Sequence, residues 1–411
     1  MEQLPLPHAA PRAGFFLPNA KVGVEYCATL EGRDASGQPV NILDLSLPEE
    51  LGLMFDSQTG RVSGSPRSSG DYRLPLRWSP AAKGSYPGEC LLIVNPDPKS
   101  LWKQLEPPAD APYPKPHQDC RLITGESGLQ LLAASRRGRS HEHQGSFRDD
   151  DFLIQADDKT GWSLLLVADG AGSAQFSREG ARVAVTSAAE TLNQALGGDL
   201  GEALAQKLSA WDSDPGAAAE AIGREFHALF HQAGTRAVQA IEQAAKTQSA
   251  KARDYATTLL AAVVKRENNG LFLASFWMGD GAIAAYGPAG KVRLMGTPDG
   301  GEFAGQTRFL DAASLADPGF AKRIGIGYFQ DIEAVLLMTD GVSDPRFETD
   351  NGLKDPVRWD ALWDELKPLL AASEPAQALV DWLHFFSPGH HDDRTIALLR
   401  PAAGTAPMRN P

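Results

Sequence analysis

The 411-residue sequence is short of several things that would each announce a function class. It has three cysteines, Cys27, Cys90 and Cys120, an odd number, widely spaced and without a CxxC pair. That excludes a disulfide framework and a cysteine zinc site, and reduced packing residues are expected. No apolar run approaches the roughly 20 residues that span a bilayer. The opening MEQLPLPHAAPRAGFF lacks the basic-then-apolar order of a signal peptide, so a cytoplasmic protein with no membrane segment is expected. Basic residues are outnumbered 39 to 52, for a net charge of -13, which argues against a nucleic-acid partner and against an anionic membrane surface.

What is present divides the chain into two domains joined by a linker, with a tail. Residues 1–96 are rich in Gly and Pro, carry short alternating segments such as YRLPLRW (72–78) and CLLIV (90–94), and show no helical period. They read as a small all-β sandwich. The stretch with Asp56, Thr59, Gly60, Gly64 and Pro66 resembles the Ig-like or cadherin-like modules of bacterial proteins, which implies a fold but no ligand. Seven prolines within residues 95–117 predict a semi-rigid connector, and the linker is set at 97–118. From 119 to 401 the texture is α+β. One helical stripe runs through Ala181, Ala184, Val185, Ala188, Leu192 and Leu196, a second through Ile222, Phe226, Leu229, Ala233, Ala237, Ile241 and Ala244. Three β-like runs (257–266, 270–277, 282–287) follow, separated by short turns including Asn268-Asn269-Gly270, and imply antiparallel sheets. A helical pair near 357–370 and 375–386 precedes the last strand, 395–400, and residues 402–411 read as a disordered tail.

Chemistry concentrates where apolar runs stop. SLLLVADGAGS (163–173) ends in Asp169-Gly170, AVLLMTDGVSD (334–344) in Asp340-Gly341, and Asp280 sits between two glycines in FLASFWMGDGAIAAY (272–286). Asp149, Asp150 and Asp151 precede another β-like run, and Asp392 and Asp393 precede the last strand. Taken singly, an Asp-Gly after a strand is a turn and an Asp run is a solvated face. Taken together, carboxylates at strand ends that converge would repel one another and take up protons unless a divalent cation sat among them. All-oxygen ligation favours Mg²⁺ or Mn²⁺ over zinc. A glycine after the acid lets a ligand approach the main chain, which makes the Gly170 carbonyl a further candidate.

In that order and context the acids resemble the metal-dependent Ser/Thr protein phosphatases of the type 2C (PPM) family, in its bacterial branch. The resemblance runs over about 138–400. It rests on GRSHEHQGSFRDDDF (138–152), VADGAGSAQFSREGARVA (167–184), TTLLAAVV (257–264), WMGDGAIAAY (277–286), GGEFAGQTRFL (300–310), LLMTDGVSD (336–344) and DDRTIALL (392–399). It implies a four-layer α-β-β-α sandwich of two antiparallel sheets, and hydrolysis of phosphoserine or phosphothreonine by direct attack of a hydroxide held by two Mn²⁺ or Mg²⁺ ions, with a third ion in some relatives. Carried over, Asp169 bridges the two ions and Gly170 offers its carbonyl to the first. Asp340 and Asp392 hold the second, Asp150 orients water, and Asp280 faces the third; Asp149 is a direct ligand in some relatives. Asp169 and Asp340 are thereby the catalytic acids. The implied partner is a phosphoprotein set against a Ser/Thr kinase; for the N-terminal domain an interaction role, docking a protein partner, or a spacer role is expected rather than catalysis.

The sequence departs from the family pattern twice. Ala171 stands where many relatives place a proton-donating histidine, for which His141 is the available substitute, and Gly145 stands where a phosphate-gripping arginine is usual, for which Arg148 is the neighbour. These departures suit a pseudophosphatase used as a binding module; the retained Asp169, Asp340 and Asp392 suit an enzyme. A zinc set from His141, His143, His390 and His391 fits no HExxH spacing, and Gly170-x-Gly172 lacks the third glycine of a dinucleotide loop. The loop-rich segment 287–332 falls where the family carries a variable flap.

Overall fold

The computed structural model describes residues 11–80, 84–97, 102–267, 270–299 and 307–402. The Asn268-Asn269 turn, the start of GGEFAGQTRFL and all but the first residue of the expected tail lie outside them. The chain divides into two compact units, residues 1–103 and 104–411.

The first unit is all-β. A two-stranded sheet pairs β1 (Ala13–Phe16) with β4 (Glu31–Asp34). A four-stranded sheet has the order β2 (Ala20–Lys21), β9 (Tyr86–Asn95), β8 (Gly70–Ser79), β5 (Asn41–Leu45). A three-stranded sheet has the order β3 (Tyr26–Thr29), β7 (Arg61–Gly64), β6 (Leu53–Asp56). The alternation that predicted strands is the burial pattern itself: Leu74, Leu76 and Trp78 of β8 and Cys90, Leu92 and Val94 of β9 point into one core, while Pro75, Arg77 and Leu91 between them are exposed and Ile93 is half-buried. The Asp56 turn joins β6 to β7, its carboxylate accepting from the Gln58 amide at 2.9 Å and the Thr59 hydroxyl at 2.7 Å.

The second unit has two antiparallel sheets. The six-stranded sheet has the order β10 (Gln118–Thr124), β11 (Leu129–Arg136), β20 (Arg394–Pro401), β19 (Ala334–Met338), β16 (Ala282–Gly287), β17 (Lys291–Leu294). The five-stranded sheet has the order β12 (Asp151–Ala156), β13 (Trp162–Ala168), β14 (Leu259–Glu267), β15 (Gly270–Met278), β18 (Ile324–Phe329). Helices α2 (Ser177–Leu196), α3 (Asp199–Ser209) and α4 (Pro215–Thr247) share one core with the outer face of the five-stranded sheet. Helices α8 (Pro356–Leu370) and α9 (Pro375–Trp382) cover the six-stranded sheet. Shorter helices are α1 (Arg139–Gln144), α5 (Ala312–Leu315), α6 (Asp340–Phe347) and α7 (Asp350–Leu353).

Layering explains why the central strands read as unbroken apolar runs. On β13, Leu165 and Val167 face the core between the sheets, while Trp162, Leu164, Leu166 and Ala168 face the helices; β14 alternates in the same way. A strand covered on both faces has no polar side to show, and each large apolar side chain so buried contributes about 1.5–3 kcal/mol.

Two regions differ from expectation. The proline-rich segment is not wholly a connector, since residues from Gln104 belong to the second unit. Its prolines keep it extended, but the residues between them make contacts: Tyr113 Oη lies 2.8 Å from Tyr255 Oη, and Arg178 donates to the carbonyls of Pro112 and Tyr113. The loop-rich 287–332 segment supplies β17 and β18, an edge strand of each sheet.

Candidate active site

Strand direction gathers the acids. Ala168, the last residue of β13, pairs with Asp151 at the head of β12. Met338, the last residue of β19, pairs with Ala282 at the head of β16 and with Ile396 near the head of β20. Neighbouring antiparallel strands put tails beside heads, so Asp169 and Asp340, which follow tails, meet Asp150, Asp280 and Asp392, which precede heads.

One carboxylate oxygen from each of Asp169, Asp280 and Asp340 lies within 4.8 Å of the others, and all three residues are half-buried. Asp169 is fixed through its main chain: its N–H donates to Thr258 Oγ1 at 2.9 Å, and its carbonyl accepts from Thr257 Oγ1 at 2.9 Å and the Thr258 amide at 2.8 Å. Asp280 accepts from the Thr307 hydroxyl. Asp340 opens α6, where the positive end of the helix dipole favours a carboxylate. Thr339, just before it, donates Oγ1 to Asp150 Oδ2 at 2.8 Å and so ties the Asp149–Asp151 motif to the Asp340 motif.

Asp280 completes the tight group, while Asp392, exposed, falls within 4.8 Å of His141 and Asp393 and acts on Asp169 and Asp340 through its charge. Gly170 is not in the left-handed region; close approach is what requires it, because a Cβ there would lie 2.8 Å from the Ser177 carbonyl carbon and 2.9 Å from the Asp149 carbonyl oxygen.

Like charges brought together out of water hold on to protons. Burial first, then the charge of Asp340, raises Asp169 well above the ordinary carboxylate range; burial, then Asp280, does the same for Asp340. Burial and Asp393 push Asp150 to about 7. Burial and Asp280 push Asp344, further along α6, to about 6. The arrangement also leaves Oδ1 of Asp280 and Oδ1 of Asp340 buried without a hydrogen-bond partner. Orphaned hard oxygens in a crowd of acids fit a divalent cation of the Mg²⁺ or Mn²⁺ kind.

A different environment surrounds His141. Burial lowers its pKa, but the charge and hydrogen bond of Asp393, helped by Asp149, outweigh that and carry it to about 9. Nδ1 is 2.9 Å from Asp393 Oδ2 and Nε2 is 3.6 Å from Asp149 Oδ2, so both nitrogens face carboxylates rather than a leaving group. His143 is exposed, and among the described residues no group of possible metal ligands joins His141 to His143, His390 or His391. Asp149 packs against His141 and Arg178, the latter at 3.7 Å, with its Oδ1 buried and without a hydrogen-bond partner.

Arg148 corrects the expectation of a phosphate grip. It is 1% exposed, donates Nε to the Pro116 carbonyl at 3.4 Å and leaves Nη1 without a partner, so it offers no surface to a solvent-borne phosphate. Lys115 beside it donates to the Asp150 carbonyl at 2.5 Å and pairs with Asp151 at 2.8 Å. Neither Lys115 nor Thr339 stands out in sequence, one hidden among prolines and the other before a stronger motif.

The family model of Protein phosphatase 2C matches residues 137–384, more than half of the chain. The chain therefore belongs to the protein phosphatase 2C family, whose members are metal-dependent Ser/Thr protein phosphatases. Among solved structures it is similar to a bacterial serine phosphatase (12% identity, 70% of this chain and 99% of that one, TM-score 0.37). It is also similar to serine-threonine phosphatase 2C from Toxoplasma gondii (12%, 70% and 99%, TM-score 0.43). A third is PppA of Pseudomonas aeruginosa, described as a key regulatory component of T6SS (14%, 66% and 97%, TM-score 0.38). No curated protein matches. No helix among the described residues is long and apolar enough to cross a membrane.

Proposed function

We propose that the second unit hydrolyses phosphoserine or phosphothreonine in a phosphoprotein, in dependence on Mn²⁺ or Mg²⁺. The observation that carries this is the meeting of Asp169, Asp280 and Asp340, from three separate strand ends, with two buried oxygens unpartnered. These three residues would hold the metal, with the Gly170 carbonyl and the exposed Asp392 as further oxygen donors. Divalent ions in such a site lower the pKa of water and neutralise charge on a transferring phosphoryl group.

The chain's own residues do the rest. Asp150, fixed by Thr339 and by the Lys115 contact to its carbonyl, orients the attacking water. Thr257 and Thr258 hold the Asp169 main chain so that its carboxylate cannot drift when charge builds at the mouth. Pre-set groups of this kind cost no reorganisation during the reaction.

The purified protein should release phosphate from a phosphothreonine peptide with Mn²⁺ and stop on addition of EDTA. Absence of metal-dependent turnover at any pH from about 6 to 9, the range where such water ionises, would overturn the reading. A second reading, a pseudophosphatase that binds phosphoproteins without hydrolysing them, is favoured by Ala171 and the buried Arg148; it predicts peptide binding with no turnover in that same assay. An opposing Ser/Thr kinase follows from this class of reaction, and a protein partner for the N-terminal unit is part of the same proposal.

A further inference from the structure

Asp392 and Asp393 are adjacent acids at the head of one strand, yet their surroundings are opposite. Asp392 is exposed, whereas Asp393 is 1% exposed and its oxygens are fully engaged. Oδ1 accepts from the Gly138 amide at 2.5 Å, and Oδ2 accepts from His141 Nδ1 at 2.9 Å and from the Asp149 amide at 2.5 Å. A carboxylate taking three N–H groups cannot turn to a cation without breaking them, and each bond lost would leave a buried donor unpaired.

The main chain closes on the same point. A Cβ at Gly138 would lie 2.2 Å from the Asp392 carbonyl carbon, and one at Gly341 would lie 1.8 Å from the Asp393 carbonyl oxygen. The Asp393 amide in turn donates to Asp392 Oδ1 at 2.8 Å. Three of these contacts lead to an acid of the site: Asp149 to Asp150, Gly341 to Asp340, and the Asp393 amide to Asp392.

We propose that Asp393 is a positioning residue, with His141 as its partner: it latches the 138–149 segment to the head of β20 and so sets Asp150, Asp340 and Asp392 relative to one another. It touches neither substrate nor metal. The claim rests on the metal-site reading above and extends it to residues outside the ligand set.

The test uses the full chain and four forms: wild type, Asp393→Asn, His141→Ala and His141→Asn. The asparagine at 141 restores a donor near the Nδ1 position. Amide hydrogen exchange at Gly138 and Asp149, measured without metal, should be slow in the wild type and markedly faster in Asp393→Asn. Calorimetric titration with Mn²⁺ should show about 10- to 100-fold weaker uptake for Asp393→Asn and His141→Ala, the usual scale for groups that orient ligands, with recovery in His141→Asn. With p-nitrophenyl phosphate, kcat should fall while KM holds. Should Asp393→Asn fail to fold by circular dichroism, the His141 pair decides: equal Mn²⁺ affinity in wild type, Ala and Asn forms overturns the proposal. A wild type that takes up no Mn²⁺ overturns the metal reading and this claim with it. A competent wild type beside an Asp393→Asn protein with unchanged exchange and unchanged affinity overturns this claim alone.

Discussion

Two groups of acids share the mouth of the second unit and are treated in opposite ways. In the Asp169, Asp280 and Asp340 group two carboxylate oxygens are buried with no partner; in the His141 and Asp393 group every Asp393 carboxylate oxygen is bonded. In the first group burial and neighbouring charge raise Asp169 and Asp340 well above the ordinary carboxylate range; in the second an imidazolium and two main-chain N–H groups keep Asp393 below the usual carboxylate range in spite of its burial. Identical side chains thus serve as candidate ligands or as fixtures according to whether the fold has left their lone pairs free. Residue type alone does not separate Asp280 and Asp340 from Asp393, and their hydrogen bonds do.

The sharpest way to break that contrast is to remove a free oxygen. Asp340→Asn should reduce kcat by at least about 10²–10³-fold, the cost of deleting a group that stabilises a transition state, while the melting temperature holds or rises because a buried repulsion is relieved. Steady-state kinetics beside a thermal melt would check both.

A smaller effect is expected from pH. Asp150 is raised to about 7 and Asp344 to about 6, so the folded chain binds more protons than the unfolded chain between the ordinary carboxylate range and those values. Stability without metal should therefore fall as pH rises from about 4 to 7, and His141, raised to about 9, extends the decline above 6.5. Mn²⁺ at about 100 times its dissociation constant should return about 2.7 kcal/mol. Scanning calorimetry with and without EDTA at pH 5 and 8 would show it, and a metal-free protein more stable at pH 8 would contradict the assignment of the crowded acids.

The smallest effect concerns the units. Deleting residues 1–103 should leave p-nitrophenyl phosphate hydrolysis within about twofold, as for a domain with its own core. Deleting 1–117 removes Tyr113 and Lys115 and should lower both stability and turnover. Equal behaviour of the two truncations would show that Lys115 does nothing for Asp150.

The central strands were legible in the sequence as apolar runs, because a strand buried on both faces has no polar side, while the four layers came from the family resemblance. Asp169 and Asp340 were legible because a carboxylate closing such a run breaks its character at the point where the strand leaves the core. The partnership of Asp280 with them was not, since it depends on the register that brings Met338 beside Ala282. The same holds for Asp393, whose three partners lie about 250 positions away. Lys115 was masked by the prolines around it, and the burial of Arg148 followed from where that segment packs. Helix α3 went unread because its apolar face is short: Gly201, Leu204 and Leu208.

The separation in sequence between Asp393 and its partners has a bearing on biosynthesis. Strand β20 lies in the middle of its sheet, between β11 and β19, although it is translated after both. Until it has emerged from the ribosome the six-stranded sheet stands divided and the His141 latch has nothing to close on. The five-stranded sheet, whose strands all precede β20 in the chain, can form before that insertion, whereas the mouth is complete only once β20 has entered between β11 and β19.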